Sequence, residues 1–195
     1  ITTLFKLQLT ELYGVGWKKM GKRSDFERVE LDFYPTPYEA VVPLMPHITD
    51  HILFRRFVEP CAGNGALVDH LTANDMYCSA AFDINPKRDD IEKGDALKVS
   101  GCLGSMFITN PPWDFKILDP MITNLSGIAK TWMLLNADVA HNQRMAPHIR
   151  RCAKFVSVGR ISWMENGKKG FENCAWFLFD SDFKGNTEFF GREGK

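Results

Sequence analysis

No apolar run in this chain approaches the roughly 20 residues that carry a helix across a bilayer. The opening "ITTLFKLQLTELYG" mixes charges into its apolar positions, unlike a secretory signal. An initiator methionine is expected before Ile1. Five cysteines (Cys61, Cys78, Cys102, Cys152 and Cys174) form an odd, scattered set without a Cys-x-x-Cys pair. That argues against a disulfide framework or a structural zinc site and for a reducing, cytoplasmic setting. Nothing resembles a metal-ligand cluster. Internal repeats and low-complexity segments are absent. Net charge is absent too, because 24 Lys and Arg balance 24 Asp and Glu. No global field advertises a polyanionic partner, so any nucleic-acid site has to be a local patch.

What remains is a core. With 195 residues, 45% of them hydrophobic, the chain fits one globular domain. Residues 1–31, with "WKKMGKR" before "SDFERVEL", read as a short helix or arm. "YEAVVPLMPHI" has helical spacing, with Pro37 in the first turn and Pro43 or Pro46 kinking or ending it. From residue 53, strand and helix patterns alternate. "LFRRFVEP", "CSAAFD", "SMFITN", "KTWMLLN", "KFVSVG" and "NCAWFLFD" read as strands. "ALVDHLTAN" reads as a helix, "FKILDPMITNLSGIA" as a broken helical stretch, and "DVAHNQRMAPHIRRC" as a helix capped by Asp138. This alternation predicts parallel crossovers and a doubly wound, mostly parallel α/β sheet. Residues 183–195 read as an extended tail.

Two stretches carry chemistry. The first, Glu59-Pro60-Cys61-Ala62-Gly63-Asn64-Gly65, lies between a strand and a helix. Ligands of doubly wound folds bind at such carboxyl ends, where glycine lets the backbone approach closely and a helix offers unpaired N–H groups. The pattern is not a full G-x-G-x-x-G, since Val68 holds the third place. A plain tight turn therefore stays open beside the binding reading. Asp83, about twenty residues on at a strand end, suits ribose hydroxyls. Asp95, near the end of the next strand, suits an exocyclic amine.

The second stretch is Asn110-Pro111-Pro112-Trp113. A loop stop with a packed indole is its plainest explanation. Its strand, however, should neighbour the glycine-turn strand, which places both stretches on one rim. An exocyclic amine on a nucleobase is a poor nucleophile because its lone pair is delocalised. An amide oxygen and the Pro111 carbonyl can accept its two N–H bonds, and an aromatic face can stack on the base. With a sulfonium leaving group no strong base is needed, and catalysis is mostly positioning and electrostatics.

Taken in order, "DFYPTP", "VEPCAGNG", "AFDINP", "GDAL" and "ITNPPW" resemble the S-adenosylmethionine-dependent adenine-N6 DNA methyltransferases, in particular the compact phage and prophage type. The resemblance covers roughly residues 32–180 and implies a catalytic domain over 32–182. It implies a Rossmann-like, seven-stranded methyltransferase domain in a bacterial or phage-infected cell, with S-adenosylmethionine as cofactor. Tyr34, Thr36 and Pro37 match the segment that contacts the methionine part. Glu59, Cys61, Ala62, Gly63 and Gly65 match the cofactor turn. Asp83 with Ile84 matches the ribose site, and Asp95, Ala96 and Leu97 match the adenine site. Asn110 to Trp113 match the catalytic tetrapeptide, Asn110 also bordering the cofactor. Family members often carry Phe or Ser where Cys61 and Ala62 stand, and Tyr or Phe is commoner at position 113. The long insertion that larger members use to read DNA sequence does not follow Trp113.

Between 141 and 170, Arg144, Arg150, Arg151, Lys154, Arg160, Lys168 and Lys169 face Glu165 alone. A solvated helix face competes with a phosphate-binding reading. "RISWMENGKKGFEN" adds Trp163 and Phe171 and is the best candidate for contacting the target strand, so Arg144, Arg160, Trp163, Lys168, Lys169 and Phe171 are the expected substrate contacts. His141 and His148 read as surface or helix-face residues. The sequence thus points to methyl transfer to adenine N6 in DNA. Adenine in RNA, a protein glutamine, or a binding module without turnover are the alternatives.

Overall fold

The computed structural model describes residues 33–48, 55–104, 106–163, 170 and 172–192. In chain order the elements are Tyr38–Val41 (α1), Arg56–Glu59 (β1), Ala66–Thr72 (α2), Tyr77–Asp83 (β2), Glu92–Lys93 (β3), Met106–Thr109 (β4) and Phe115–Ile128 (α3). Thr131–Asn136 (β5), Ala146–Ile149 (α4), Cys152–Gly159 (β6), Cys174–Phe179 (β7) and Glu188–Phe190 (β8) complete them. The proposed N-terminal arm lies outside the described residues.

The central strands have no face to show to water. On β5, Trp132 and Leu134 join one apolar cluster, while Met133 and Leu135 join the other. On β7, Trp176 and Leu178 face one way, and Ala175, Phe177 and Phe179 the other. Such strands have to be covered on both sides. Leu44 and the α2 residues Leu67, Val68 and Leu71 cover the first face. Leu118, Met121, Ile122 and Leu125 of α3 cover the second.

The sheet order is β3-β2-β1-β4-β5-β7-β6-β8. Strands β3 through β5 pair in parallel, β7 runs antiparallel between β5 and β6, and β8 pairs parallel to β6. The chain winds outward from β1 through β2 to β3, then returns to lay β4 on the other flank of β1. The order reverses between β1 and β4, and a crevice opens at their carboxyl ends. The doubly wound α/β expectation holds, with eight strands among the described residues rather than seven. The eighth comes from the expected tail, whose residues 188–190 align Lys154 with Glu188 and Val156 with Phe190.

Three local expectations change. The "broken" stretch is one helix, α3, despite Pro120 inside it. Its inward residues at 118, 121, 122 and 125 are buried, and this packing outweighs the one backbone hydrogen bond that proline removes. The segment after β5 is two 3-10 turns and the short α4 rather than one helix. Its caps are Asn136, accepting from the Asp138 N–H, and Asn142, accepting from the Arg144 N–H. Short amide side chains compete for nearby backbone donors, and Pro147 lacks one, so the pattern fragments. At the front, α1 stops at Val41 before Pro43, and Pro46 sits in a separate 3-10 turn, Met45–His47.

The α1 segment is tied to the sheet by the Trp176 indole N–H, which donates to the Ala40 carbonyl at 2.7 Å inside the core. Substituting Trp176→Phe strands that buried carbonyl. Chemical denaturation should show a loss of about 1–3 kcal/mol, with the far-ultraviolet spectrum retained.

Candidate active site

The loops after β1, β2 and β4 leave neighbouring strands on one rim. Hydrogen bonds lace the first two together. The Ala62 N–H donates to the Phe82 carbonyl at 3.0 Å, and the Lys87 N–H donates to the Gly63 carbonyl at 2.9 Å. The Asp83 carboxylate accepts from the Gly63 N–H at 2.9 Å and from the Asn85 N–H at 2.7 Å. Asp83 therefore fixes the shape of the glycine turn while keeping lone pairs on both oxygens. Gly63 and Gly65 have φ of +53° and +79°, a region that favours glycine. A Cβ on Gly63 would stand 2.8 Å from the Phe33 ring. One on Gly65 would run into the Arg88 guanidinium, which Asp69 and Asp90 hold at 2.6 Å each. Of the amides expected to be unpaired at the start of α2, that of Ala66 is taken by the Asn64 side chain.

Glu59 ends β1 fully buried. Its Oε1 accepts from the Cys61 N–H at 3.1 Å. Thr109, at the end of the adjacent β4, interacts with this carboxyl, although neither its buried hydroxyl nor Glu59 Oε2 reaches full hydrogen-bond geometry with any described residue. Burial, helped by the charge of Asp83, pushes the Glu59 carboxyl up to about 8. Burial and Glu59 together raise the Cys61 thiol well above its usual range, which leaves it a poor nucleophile. Thr109 is a residue that the sequence reading missed, although a lone hydroxyl in "MFIT" before Asn110 is the signal that marks it.

Asp95 follows β3 and caps a 3-10 turn, accepting from the Leu97 N–H at 2.9 Å, with the exposed Lys98 ammonium 3.5 Å away. Ala96 is buried, while Leu97 and Ile84 present exposed apolar side chains.

Asn110 follows β4. Its Nδ2 donates to the Tyr34 carbonyl at 3.3 Å and to the Thr36 hydroxyl at 3.1 Å. A carbonyl can only accept, so the nitrogen must face it and Oδ1 is turned the other way. Among the described residues no donor is spent on the Pro111 carbonyl. Pro111 itself is buried and Pro112 half-buried. The Trp113 indole donates to the Leu134 carbonyl at 3.1 Å and meets Trp163 edge-on, with ring centres 5.7 Å apart. Trp163 in turn lies 6.0 Å from Tyr34. An amide acceptor and an aromatic wall thus share one corner. Glu39 on α1 supports that wall by accepting from the Ser162 N–H at 2.6 Å, and the Ile161 carbonyl accepts from the Gly170 N–H at 2.8 Å. Pro37 precedes α1 in extended conformation rather than sitting in its first turn.

The basic residues divide. β6 runs parallel to β5, since each is antiparallel to the intervening β7, so Arg160 after its carboxyl end lies on the rim. Arg144 is exposed with its guanidinium over the Phe115 ring just beyond Trp113. Arg150 and Arg151 precede β6 and stand at the opposite edge, and Lys154 lies over Phe190. The single patch read from sequence is therefore two. Lys168, Lys169, Phe171 and Glu165 lie outside the described residues. His148, read as a surface or helix-face residue, is buried on α4 with Nε2 2.7 Å from Asp119 Oδ1 of α3; His141 is exposed.

No protein-family model matches the chain, and no curated protein does. Solved structures do. A candidate RNA methyltransferase from Pyrococcus horikoshii superimposes with a TM-score of 0.59 at 14% identity, covering 82% of this chain and 92% of its own. The fold is that of the Rossmann-like methyltransferases. A candidate class I S-adenosylmethionine-dependent methyltransferase from Listeria monocytogenes gives 0.54 at 11% identity over 96% of this chain and 70% of its own. A dimethyladenosine transferase from Plasmodium falciparum gives 0.50 at 13% identity over 75% and 62%.

Between pH 4.5 and about 8 the folded chain holds a proton on Glu59 that the unfolded chain has released. Stability should therefore fall as pH rises through that window, by up to about 1.4 kcal/mol per pH unit from this group. In Glu59→Gln this component should vanish, seen as a flatter plot of urea midpoint against pH than for wild type.

Proposed function

We propose that this chain is an S-adenosylmethionine-dependent methyltransferase acting on the N6 amine of adenine in DNA, with residues 32–182 as the catalytic domain. The observation that carries the reading is the orientation of Asn110. Its nitrogen is committed to Tyr34 and Thr36, so its oxygen is presented as an acceptor beside the aromatic rings of Trp113 and Trp163.

The residues of the rim fit the cofactor. The Asp83 carboxylate, already aligned by two backbone amides, has lone pairs left for a pair of hydroxyls. Leu97 and Ile84 offer exposed apolar side chains for a planar ring, with the Asp95 carboxylate at the start of the Leu97 turn. Gly63 keeps the turn clear of a Cβ, and Glu59 ends β1 fully buried just before it. Bound there, S-adenosylmethionine supplies a methyl group on a positively charged sulfur, a leaving group that needs no strong base. The protein's own part is to hold the acceptor. Asn110 Oδ1 and the Pro111 carbonyl accept the two N–H bonds of the amine and draw its nitrogen towards tetrahedral geometry. Trp113, anchored through Leu134, fixes the plane of the base. Arg144 and Arg160 on the rim are suited to phosphates. A base in a duplex has to be flipped out to reach this corner, at a cost of a few kcal/mol.

Adenine in RNA is the second reading. It is favoured by the likeness to the Pyrococcus protein, described as a candidate RNA methyltransferase. Label transfer from radiolabelled S-adenosylmethionine to mixed-sequence DNA, to RNA and to protein extract separates the acceptors. The expected product is N6-methyladenine in DNA. Label in protein glutamine, or none with cofactor bound, would count against the proposal. Asn110→Ala should lower kcat by about 10²–10³-fold, the usual cost of one preorganised polar contact to the reacting group, while cofactor affinity changes far less.

A further inference from the structure

Thr36 stands between two prolines, Pro35 and Pro37, and is almost fully buried at 4% exposure. The prolines fix φ at 35 and 37 and press Tyr34 and Thr36 into extended conformations. Pro37 is itself extended, with φ −74° and ψ 151°. The segment is a stiff bracket that presents the Tyr34 carbonyl and the Thr36 hydroxyl to one atom, Asn110 Nδ2, at 3.3 and 3.1 Å. These contacts join positions 74 and 76 residues apart in sequence. From this geometry we infer that Thr36 is a positioning residue for the acceptor amine: it holds the Asn110 side-chain amide with Oδ1 towards the substrate.

The inference rests on the proposed methyl transfer and assigns Thr36 a task different from cofactor contact. Rotation of the Asn110 amide by half a turn would set Oδ1 against the Tyr34 carbonyl, two acceptors facing each other. It would also turn Nδ2, a donor, to the amine, where it cannot accept an N–H. Tyr34 contributes a backbone group that no substitution removes, so the side chain that can be varied is Thr36. Valine there keeps the volume and deletes the oxygen, while serine keeps the oxygen and deletes a methyl group.

Thr36→Val should lower kcat about five- to thirtyfold, as for loss of one hydrogen bond that fixes a reacting geometry. The dissociation constant for S-adenosylmethionine, measured by calorimetry, should stay within about twofold. Thr36→Ser should restore kcat. Independently of activity, protein labelled with ¹⁵N-asparagine should show the Asn110 side-chain amide resonances displaced in Thr36→Val and returned in Thr36→Ser. A Thr36→Val enzyme that keeps kcat, or that loses cofactor affinity instead, overturns the inference and leaves methyl transfer standing. A folded wild type without transfer to any acceptor overturns both, and the amide resonances would then report a structural bond only. Melting curves identify any loss due to misfolding, and if Thr36→Val does not fold, Thr36→Ala, which also deletes the oxygen, decides by the same readouts.

Discussion

The strands at the centre of this protein are apolar on both faces, and that constraint organises the rest. Trp132 and Leu134 on one side of β5, and Met133 and Leu135 on the other, each remove apolar surface from water only if something covers them. Parallel crossovers supply the covers, and two directions of winding supply both sides. A sheet wound in both directions from a shared middle must have a place where its order reverses. That place is the seam between β1 and β4. Asp83 and Asn110 stand at or just past the carboxyl ends of their strands, while Glu59 and Thr109 end β1 and β4 fully buried beside each other. The raised Glu59 carboxyl is the electrostatic result of that placement.

At the seam, donors and acceptors are sorted. On the β1 and β2 side the backbone N–H groups of Gly63 and Asn85 are spent on Asp83, which stiffens the turn. On the β4 side the donor is the Asn110 amide nitrogen, spent on the Tyr34–Thr36 bracket. What faces the acceptor corner is oxygen and aromatic carbon. An amine with two hydrogens to give and a planar ring to stack is the complement of such a surface. Among the described residues, Arg144 and Arg160 bring basic charge to this rim.

Strands were legible where the pattern was strong. "TWMLLN" and "NCAWFLFD" became β5 and β7, since a run of large apolar residues can only lie in the middle of a sheet. Helices were harder to read. Pro120 argued for a break, but a local propensity of a few kcal/mol yields to a full row of buried side chains. Asp138 looked like a cap, but the turn begins at Ala137, so Asp138 lies inside it and donates its own N–H to the capping Asn136 side chain. "TEFF" near the end was read as part of an extended tail, because so short a run becomes a strand only by pairing with the edge of β6. The basic patch divided because neighbours in sequence on either side of a strand end up at opposite edges of the sheet.

By itself the sequence determined the class of fold, the two stretches of the rim and the identity of the groups on it. Periodicity, turn residues and side-chain chemistry are local and survive without coordinates. Tertiary structure alone decided how those groups are used. It buried Glu59 enough to raise its carboxyl, tied one oxygen of Asp83 to the glycine turn, and brought Trp163 against Trp113. It also turned the amide of Asn110. The direction of a hydrogen bond is set by what stands opposite it, and Tyr34 and Thr36 stand opposite Asn110 only once the chain has folded.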